Sequence, residues 1–352
     1  MIVGHTLAFG PDIGAVIADG GWIGGLDFLG LRDVSDVPHA LAGTIPHSTF
    51  AIYQMMFAII TPALIAGTYA ERIKFTSYLV FTGIWVLIVY APMAHWVWGG
   101  GFLGADGLGA LDFAGGTVVH QNAGAAALAA AIVLGKRKGY PQEAILPHNV
   151  PFVVLGASIL WFGWFGFNGG SAVASGGLAS LAFSNTHIAT AAAIFGWVLP
   201  EWMQHKKPTT VGAATGAVAG LVAITPAAGF VRPWSALIIG FAASAICYFA
   251  VSLKHKIGYD DSLDVVGVHY VGGLVGAILT GVFAAEVGLV YSGDFTQTLK
   301  QLAASGVATA WGFGLSLIIL KLIDWTIGVR VSEEEEEVGL DLSQHGEAAY
   351  SA

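Results

Sequence analysis

TVVHQNAGAAALAAAIVLG (117–135) and VVGVHYVGGLVGAILTGVF (265–283) decide the fold class of this chain. Each approaches the roughly 20 apolar residues that carry an α-helix across the hydrocarbon of a bilayer. Each also holds one histidine, His120 in the first and His269 in the second. An ionisable side chain at bilayer depth costs on the order of a few kcal/mol and is rare without a task. Histidine is the side chain whose ordinary pKa lies nearest neutrality. One reading is a pair of neutral, hydrogen-bonded imidazoles lining a narrow path for something small and proton-linked. The other is a satisfied interhelical pair acting as polar glue. Spacing leaves both open. A metal centre fits poorly, because no third ligand accompanies two histidines 149 residues apart.

The bulk composition agrees with a membrane protein. Of 352 residues, 55% are hydrophobic and 11% charged, against roughly 25% charged in soluble domains. Mean hydropathy is +0.72, which excludes a soluble enzyme of ordinary type. The 49 glycines and 11 tryptophans suit close helix packing and membrane interfaces. The single cysteine, Cys247, allows neither an intrachain disulfide nor a cysteine-based metal site. The net charge of −9 is concentrated at the end. Residues 331–352 carry seven acids and no Lys or Arg, so the body is near −2 (−9 + 7) and has no basic surface for nucleic acid. This tail is expected to be a solvated acidic segment. The opening MIVGHTLAFG lacks a basic region and a long apolar core, so no signal peptide is expected.

Nine apolar segments read as helices, at about 47–70, 75–98, 117–134, 149–170, 180–203, 209–225, 234–253, 265–285 and 303–328, with the third and sixth weakest as spans. Lys and Arg fix their direction. Arg72 and Lys74, Lys136 to Lys138, Lys206 and Lys207, Lys254 and Lys256, and Arg330 each follow an odd-numbered segment. The opposite loops hold only Arg32, Arg232 and Lys300. By the positive-inside rule the odd segments run outside to inside, and the C-terminal tail is cytoplasmic in a cell-membrane protein. Residues 1–46 are rich in Gly and Asp and read as an extracytoplasmic loop after the end of a helix. Residues 47–330 read as the transmembrane domain and 331–352 as the acidic tail. LDFAGGTVVH and LDVVGVH hint at an inverted repeat, each placing an Asp (Asp112, Asp264) before the histidine and glycines soon after it.

Aromatic residues gather at the outer ends. AHWVWGGG (94–101) and WFGWFGFNGGSA (161–172) end the second and fourth segments there, near Tyr53, Gln54 and Phe57 of the first. Trp98, Phe57, Phe167 and Ser171 are therefore expected to meet at one outer vestibule. Aromatic faces attract a small cation, and Ser171 can accept a hydrogen bond from it. An interfacial aromatic belt explains the same residues. Asp112 is expected to brace the start of the third segment by accepting backbone N–H bonds and to contribute charge indirectly, with Asp264 capping the eighth similarly. His95 and His187 are read as structural. Neither a phosphate-binding glycine loop with its lysine nor an HExxH pattern is present, so no enzymatic role and no cofactor is expected.

At these residues the chain resembles the Amt/Mep/Rh ammonium transporter family, bacterial Amt branch. The resemblance rests on AERIKF (70–75), AHWVWGGG (94–101), LDFAGGTVVH (111–120), PHNVPFV (147–153), WFGFNGGSA (164–172), NTHIATAAA (185–193), DVVGVHYVGG (264–273) and GLDLSQHGEAAY (339–350). It implies an all-α polytopic membrane protein with inverted five-helix repeats around a central pore. It implies that His120 and His269 are the paired pore histidines and that Phe57 and Phe167 are the stacked gate. Trp98, Phe57 and Ser171 become the outer ammonium site, supported by Asp112. Tyr53, Gln54, Asn168 and Thr225 fall on vestibule or pore positions. The substrate implied is ammonium or ammonia, with methylammonium as analogue; the assembly implied is a homotrimer in the lipid bilayer, bound at its cytoplasmic face by a PII-type signalling protein. The family pattern has eleven spans, and the resemblance begins near the end of the second, so about nine are expected here. His187 stands where an apolar residue is usual. Alternatives are an ammonium sensor signalling through the tail and a Rh-like ammonia or CO2 channel.

The sidedness is testable with Cys247 replaced by Ser. Single cysteines at Ser292→Cys and Ala348→Cys are expected to react with an impermeant maleimide from opposite faces of the cell membrane, the first from outside only. Labelling of both from one face overturns the topology.

Overall fold

The computed structural model describes residues 2–17, 20–143 and 145–350. All nine apolar segments are helical. Following a short α1 (Gly4–Phe9), they are α2 (His47–Tyr69), α3 (Phe75–Trp98), α4 (Gly116–Leu134), α5 (Val150–Gly170), α6 (Gly177–His205), α7 (Thr210–Ile224), α8 (Pro233–Ile257), α9 (Val266–Phe283) and α10 (Thr296–Thr326). Among the described residues eight are long and apolar enough to cross a membrane. The expected sixth span, α7, is the exception at 15 residues, or about 22 Å at 1.5 Å per residue. It packs against α5, α6, α8 and α9. A helix walled by protein need not match the bilayer thickness.

Burial is distributed as in a membrane protein. α4 is mostly buried by its neighbours, whereas α5 turns large apolar side chains outward, including Phe152, Leu155, Ile159 and Phe162. In water such a surface would aggregate; in lipid it is matched by acyl chains.

Two regions differ from the sequence reading. Residues 1–46 are not only loop: they contain α1 and an antiparallel hairpin of β1 (Asp12–Ile17) and β2 (Gly20–Gly24). The glycine-rich sequence hides it, because little period-two alternation of apolar residues marks its strands. The hairpin sits on the C-terminal end of α3. Trp96 Nε1 donates to Trp22 O at 2.6 Å, Gly21 bridges Gly101, and His95 reaches Asp12 Oδ1 and Ala8 O, each at 3.0 Å. His95 thus has a structural role, as expected.

The acidic tail is likewise folded rather than merely solvated. It forms α11 (Glu333–Val338), opened by a Ser332–Glu335 capping box, and α12 (Leu340–His345). Two of its acids meet basic residues: Glu336 takes Arg330 Nη2 at 2.7 Å and Lys138 N at 2.9 Å, and Glu337 takes Lys138 Nζ at 2.6 Å. Gln344 accepts from Phe75 N, and the Tyr350 ring lies 5.0 Å from His148. A single-sign run escapes self-repulsion where it finds opposite charge.

These contacts gather the loops after α2, α4, α8 and α10, in keeping with their shared positive clusters. At the centre is Asp260, fully buried. Arg137 Nε and Nη2 donate to its two oxygens at 2.9 Å each, and Arg72, also fully buried, lies 3.6 Å away. Glu71 adds a contact to Arg137 at 3.1 Å. Burial pushes the Asp260 carboxyl up, but the Arg137 and Arg72 guanidiniums more than offset it and hold the group below its ordinary 3.8.

Asp260→Asn leaves two buried guanidiniums undercompensated. It is expected to lower unfolding stability by about 3–5 kcal/mol, the usual cost of breaking a buried pair, read as a lower midpoint in detergent. A folded value below the unfolded one stabilises fully above the unfolded value, and that part is lost as pH falls through the folded value. The wild-type advantage over Asp260→Asn is therefore expected to vanish only below pH 3.8. An advantage unchanged there would contradict the assignment.

Candidate functional site

The site begins where α4 and α9 touch. Gly273 follows His269 by four residues, and a Cβ there would lie 2.7 Å from Gly116 O and 2.9 Å from Gln121 N. Gly124 follows His120 by four residues, and its Cβ would lie 2.4 Å from Tyr270 N. Neither contact tolerates a side chain, so the two backbones meet through reciprocal glycines. Both histidines also lie in one-turn π segments, Gly116–Gln121 and Val266–Tyr270, a local widening often found at functional positions.

This crossing brings the imidazoles together. His120 Nδ1 and His269 Nδ1 are 3.3 Å apart, with rings stacked at 5.3 Å and 23°. His120 is fully buried and His269 is 9% exposed. Two facing nitrogens make a bond only if one ring carries the N–H there and the other offers a lone pair. His120 Nε2 is buried and has no hydrogen-bond partner.

Aromatic rings continue from His120 toward Trp98. Trp164 stacks on it at 5.3 Å and Phe167 at 6.0 Å. Phe57 meets Phe167 edge-on at 4.7 Å, and Trp98 meets Phe57 at 5.5 Å. Tyr53 packs on Phe57 at 5.1 Å, and its hydroxyl lies 3.0 Å from Ser171 Oγ while donating to Phe167 O at 2.7 Å. Ser171 Oγ donates to Phe167 O at 2.8 Å, so its lone pairs can accept from a guest.

Asp112 holds the N-terminal end of α4. Its Oδ1 accepts from Gly115 N and Gly116 N at 2.8 and 2.7 Å, and its Oδ2 from Thr117 N and Val118 N at 2.8 and 3.0 Å. Burial pushes this carboxyl above its ordinary range, and the four N–H donors counter that. All four close neighbours are donors, so the geometry suits the carboxylate. Trp98 Nε1 donates to Asp112 O at 2.8 Å, which ties the ring to the same turn. Gln301 clamps the preceding residue, accepting from Leu111 N at 2.7 Å and donating to Leu111 O at 2.6 Å.

The remaining expected residues lie around this file. Asn168 is fully buried and donates to Thr186 Oγ1 at 2.9 Å. Thr225 Oγ1 accepts the Trp164 indole N–H at 2.9 Å. Gln54 lines a small separate cavity against α1 and α3. His187 packs on Trp161 and Phe165 at 5.3 and 5.9 Å.

Sequence reasoning left three residues unassigned. Trp164 stands within an aromatic run in the sequence, yet it stacks directly on His120. Gln301 carries no motif. The cap of α9 is Asp261, whose Oδ2 accepts Val266 N at 2.7 Å, whereas the expected Asp264 pairs with Lys254. The adjacent acids in YDDSLD look alike in sequence, and only the turn selects between them. Among the described residues no group of three or more His, Cys, Asp or Glu is arranged to hold a metal ion.

Comparison with known proteins gives consistent matches. The sequence model described as Ammonium Transporter Family matches residues 1–350. The Bacillus subtilis ammonium transporter is 49% identical over 358 aligned residues, covering 99% of this chain and 86% of that protein. The crystal structure of Candida albicans Mep2 superposes with a TM-score of 0.86 at 40% identity, over 95% of this chain and 75% of that one. A structure described as "Sensor Amt Protein" superposes at 0.87 with 33% identity, over 97% and 85%.

Asp112→Asn replaces two acceptor sites by an NH2 group facing two N–H donors. Loss of two such bonds, each about 1.5–3 kcal/mol when one partner is charged, is expected to lower the unfolding midpoint by several degrees. Accessibility of Trp98 to an aqueous fluorescence quencher is expected to rise in a chain with its exposed tryptophans replaced. An unchanged midpoint and quenching would show the turn holds without the carboxylate.

Proposed function

The chain belongs to the ammonium transporter family, and on that premise we propose that it recruits NH4+ at an outer aromatic site and passes NH3 through a twin-histidine pore. The observation that carries this reading is the contact file Trp98–Phe57–Phe167–His120–His269, with neighbouring ring centroids 4.7 to 6.0 Å apart.

At the outer end, Trp98 and Phe57 offer ring faces to a cation, and Ser171 Oγ offers a lone pair. Cation–π attraction of about 0.5–2 kcal/mol per ring replaces part of the lost hydration. Asp112 supports the site indirectly: its lone pairs are engaged by backbone donors, so it holds Trp98 and adds negative potential without serving as the proton acceptor.

Phe57 and Phe167 in contact close the way to anything hydrated. Beyond them the walls are apolar, and an unpaired ammonium ion there would cost tens of kcal/mol by Born solvation. Ammonia carries no such cost, so desolvation favours loss of the proton at the gate. The unpartnered His120 Nε2 then offers the first hydrogen bond inside, and the imidazole pair conducts the guest onward. A proton shared between two facing nitrogens also suits a relay, which would make transport electrogenic.

We further propose a homotrimer in the cell membrane with a cytoplasmic C-terminus. The folded acidic tail on the inner loops is the surface on which a PII-type signalling protein would act. The resemblance supports both statements. The similarity to a structure described as a sensor keeps ammonium sensing as a second reading.

Ammonium pulses onto proteoliposomes are expected to displace charge in wild type, with at least a tenfold smaller response in His120→Ala/His269→Ala. Trp98→Leu is expected to raise half-saturation by about 2- to 30-fold, the range of one cation–π contact. Charge silence with retained methylammonium-competed ammonia flux would mean electroneutral conduction. Binding with neither charge nor flux would favour sensing and overturn transport.

A further inference from the structure

A second polar feature lies off the aromatic file. α1, the outer half of α2 and the middle of α3 enclose a cavity of about 30 Å³, lined by apolar side chains such as Phe9, Met55 and Val86 and by His5, Gln54 and Tyr90. That volume admits one or two molecules the size of water, which needs roughly 10–15 Å³. Neither histidine of the pore nor any ring of the outer file lines it.

Each polar liner brings an unsatisfied atom. His5 Nδ1, Gln54 Oε1 and Tyr90 Oη are all buried and lack a hydrogen-bond partner. His5 and Tyr90 are 5% and 3% exposed. Buried polar atoms are nearly always paired, so three orphans around one small cavity point to a common partner. Their chemistry defines it. Gln54 Oε1 only accepts. His5 Nε2 lies 2.9 Å from His47 Nε2; when His5 donates there, its Nδ1 is an acceptor. Burial, with His47 and His39 nearby, pulls the His5 imidazole down to about 4, so the ring is neutral and has one acceptor nitrogen. Tyr90 Oη can donate or accept.

We infer that this cavity is a binding site for a water-sized molecule that donates hydrogen bonds to His5 Nδ1 and Gln54 Oε1 and engages Tyr90 Oη. Water and ammonia share that chemistry. The guest joins α1, α2 and α3, and it lies three residues along α2 from Phe57. Through His5 it is also one hydrogen bond from His47, which lines an outer cleft of about 530 Å³ together with His39, Asp12 and Asp33. The occupant thus extends a hydrogen-bonded line from the outer cleft to Tyr90, beside the aromatic gate and independent of its conduction.

The test is a wild-type structure at a resolution that shows ordered solvent, determined once in sodium salts and once in ammonium. One peak within about 3.2 Å of all three atoms is expected. Equal occupancy in both salts identifies water, and occupancy confined to ammonium identifies ammonia or ammonium; either supports the site. Gln54→Leu/Tyr90→Phe is expected to lose the peak while keeping the His120–His269 contact. No peak in either salt, with the three side chains ordered and other internal solvent visible, overturns the inference. So does a rearrangement in which Gln54 bonds His5 or Tyr90 directly. The wild-type maps decide the matter even if the double variant fails to fold.

Discussion

The backbone contact between α4 and α9 is the constraint on which the rest of the site depends. Gly124 on Tyr270 and Gly273 on Gly116 and Gln121 leave no room for a methyl group. At that separation the two imidazoles stand 3.3 Å apart. In lipid, helix association draws on van der Waals contact and interhelical hydrogen bonds rather than on release of water. The crossing that packs best is therefore also the one that builds the pair. The π turns at both histidines widen each helix at the same level.

From that crossing the two faces of the molecule diverge in chemistry. On one side rings adjoin one another from His120 to Trp98, and the Asp112 carboxylate near them is engaged by four backbone donors. Both of its oxygens are taken up by backbone N–H groups. On the other, charge is neutralised within the protein: Asp260 joins Arg72 and Arg137, and Glu336 and Glu337 join Arg330 and Lys138. One end is thus lined by aromatic rings, while the other locks loops and tail together. A cation site that must release its guest is better built from rings than from free carboxylates, since ring attraction is modest and does not compete for the proton.

Much of this was legible in the chain. The length and apolarity of each segment announced the helices, and α7 fell short where the sequence was already weakest. The Lys and Arg clusters after α2, α4, α8 and α10 marked loops that the fold brings together. The glycines four residues after each histidine were visible as pattern. Other features were not. The hairpin at 12–24 has too much glycine to show strand periodicity, and its stability comes from Trp96, His95 and Gly101 of a distant segment. The tail looked like a repelling run because its partners, Arg330 and Lys138, are recognisable as partners only once folded against it.

Composition, span length and charge alternation therefore determined that the chain is a polytopic helical membrane protein, because those quantities depend only on the solvent each segment must satisfy. The resemblance carried by its local motifs pointed to the family. What only the tertiary structure decided is which side chains share a contact: that Trp164 stacks on His120, that Asp261 rather than Asp264 caps α9, that Gln301 clamps Leu111, and that His5, Gln54 and Tyr90 surround one cavity. These pairs are separated by up to 190 residues. Their meeting is fixed by how helices cross, a property of packed surfaces that no local stretch of sequence contains.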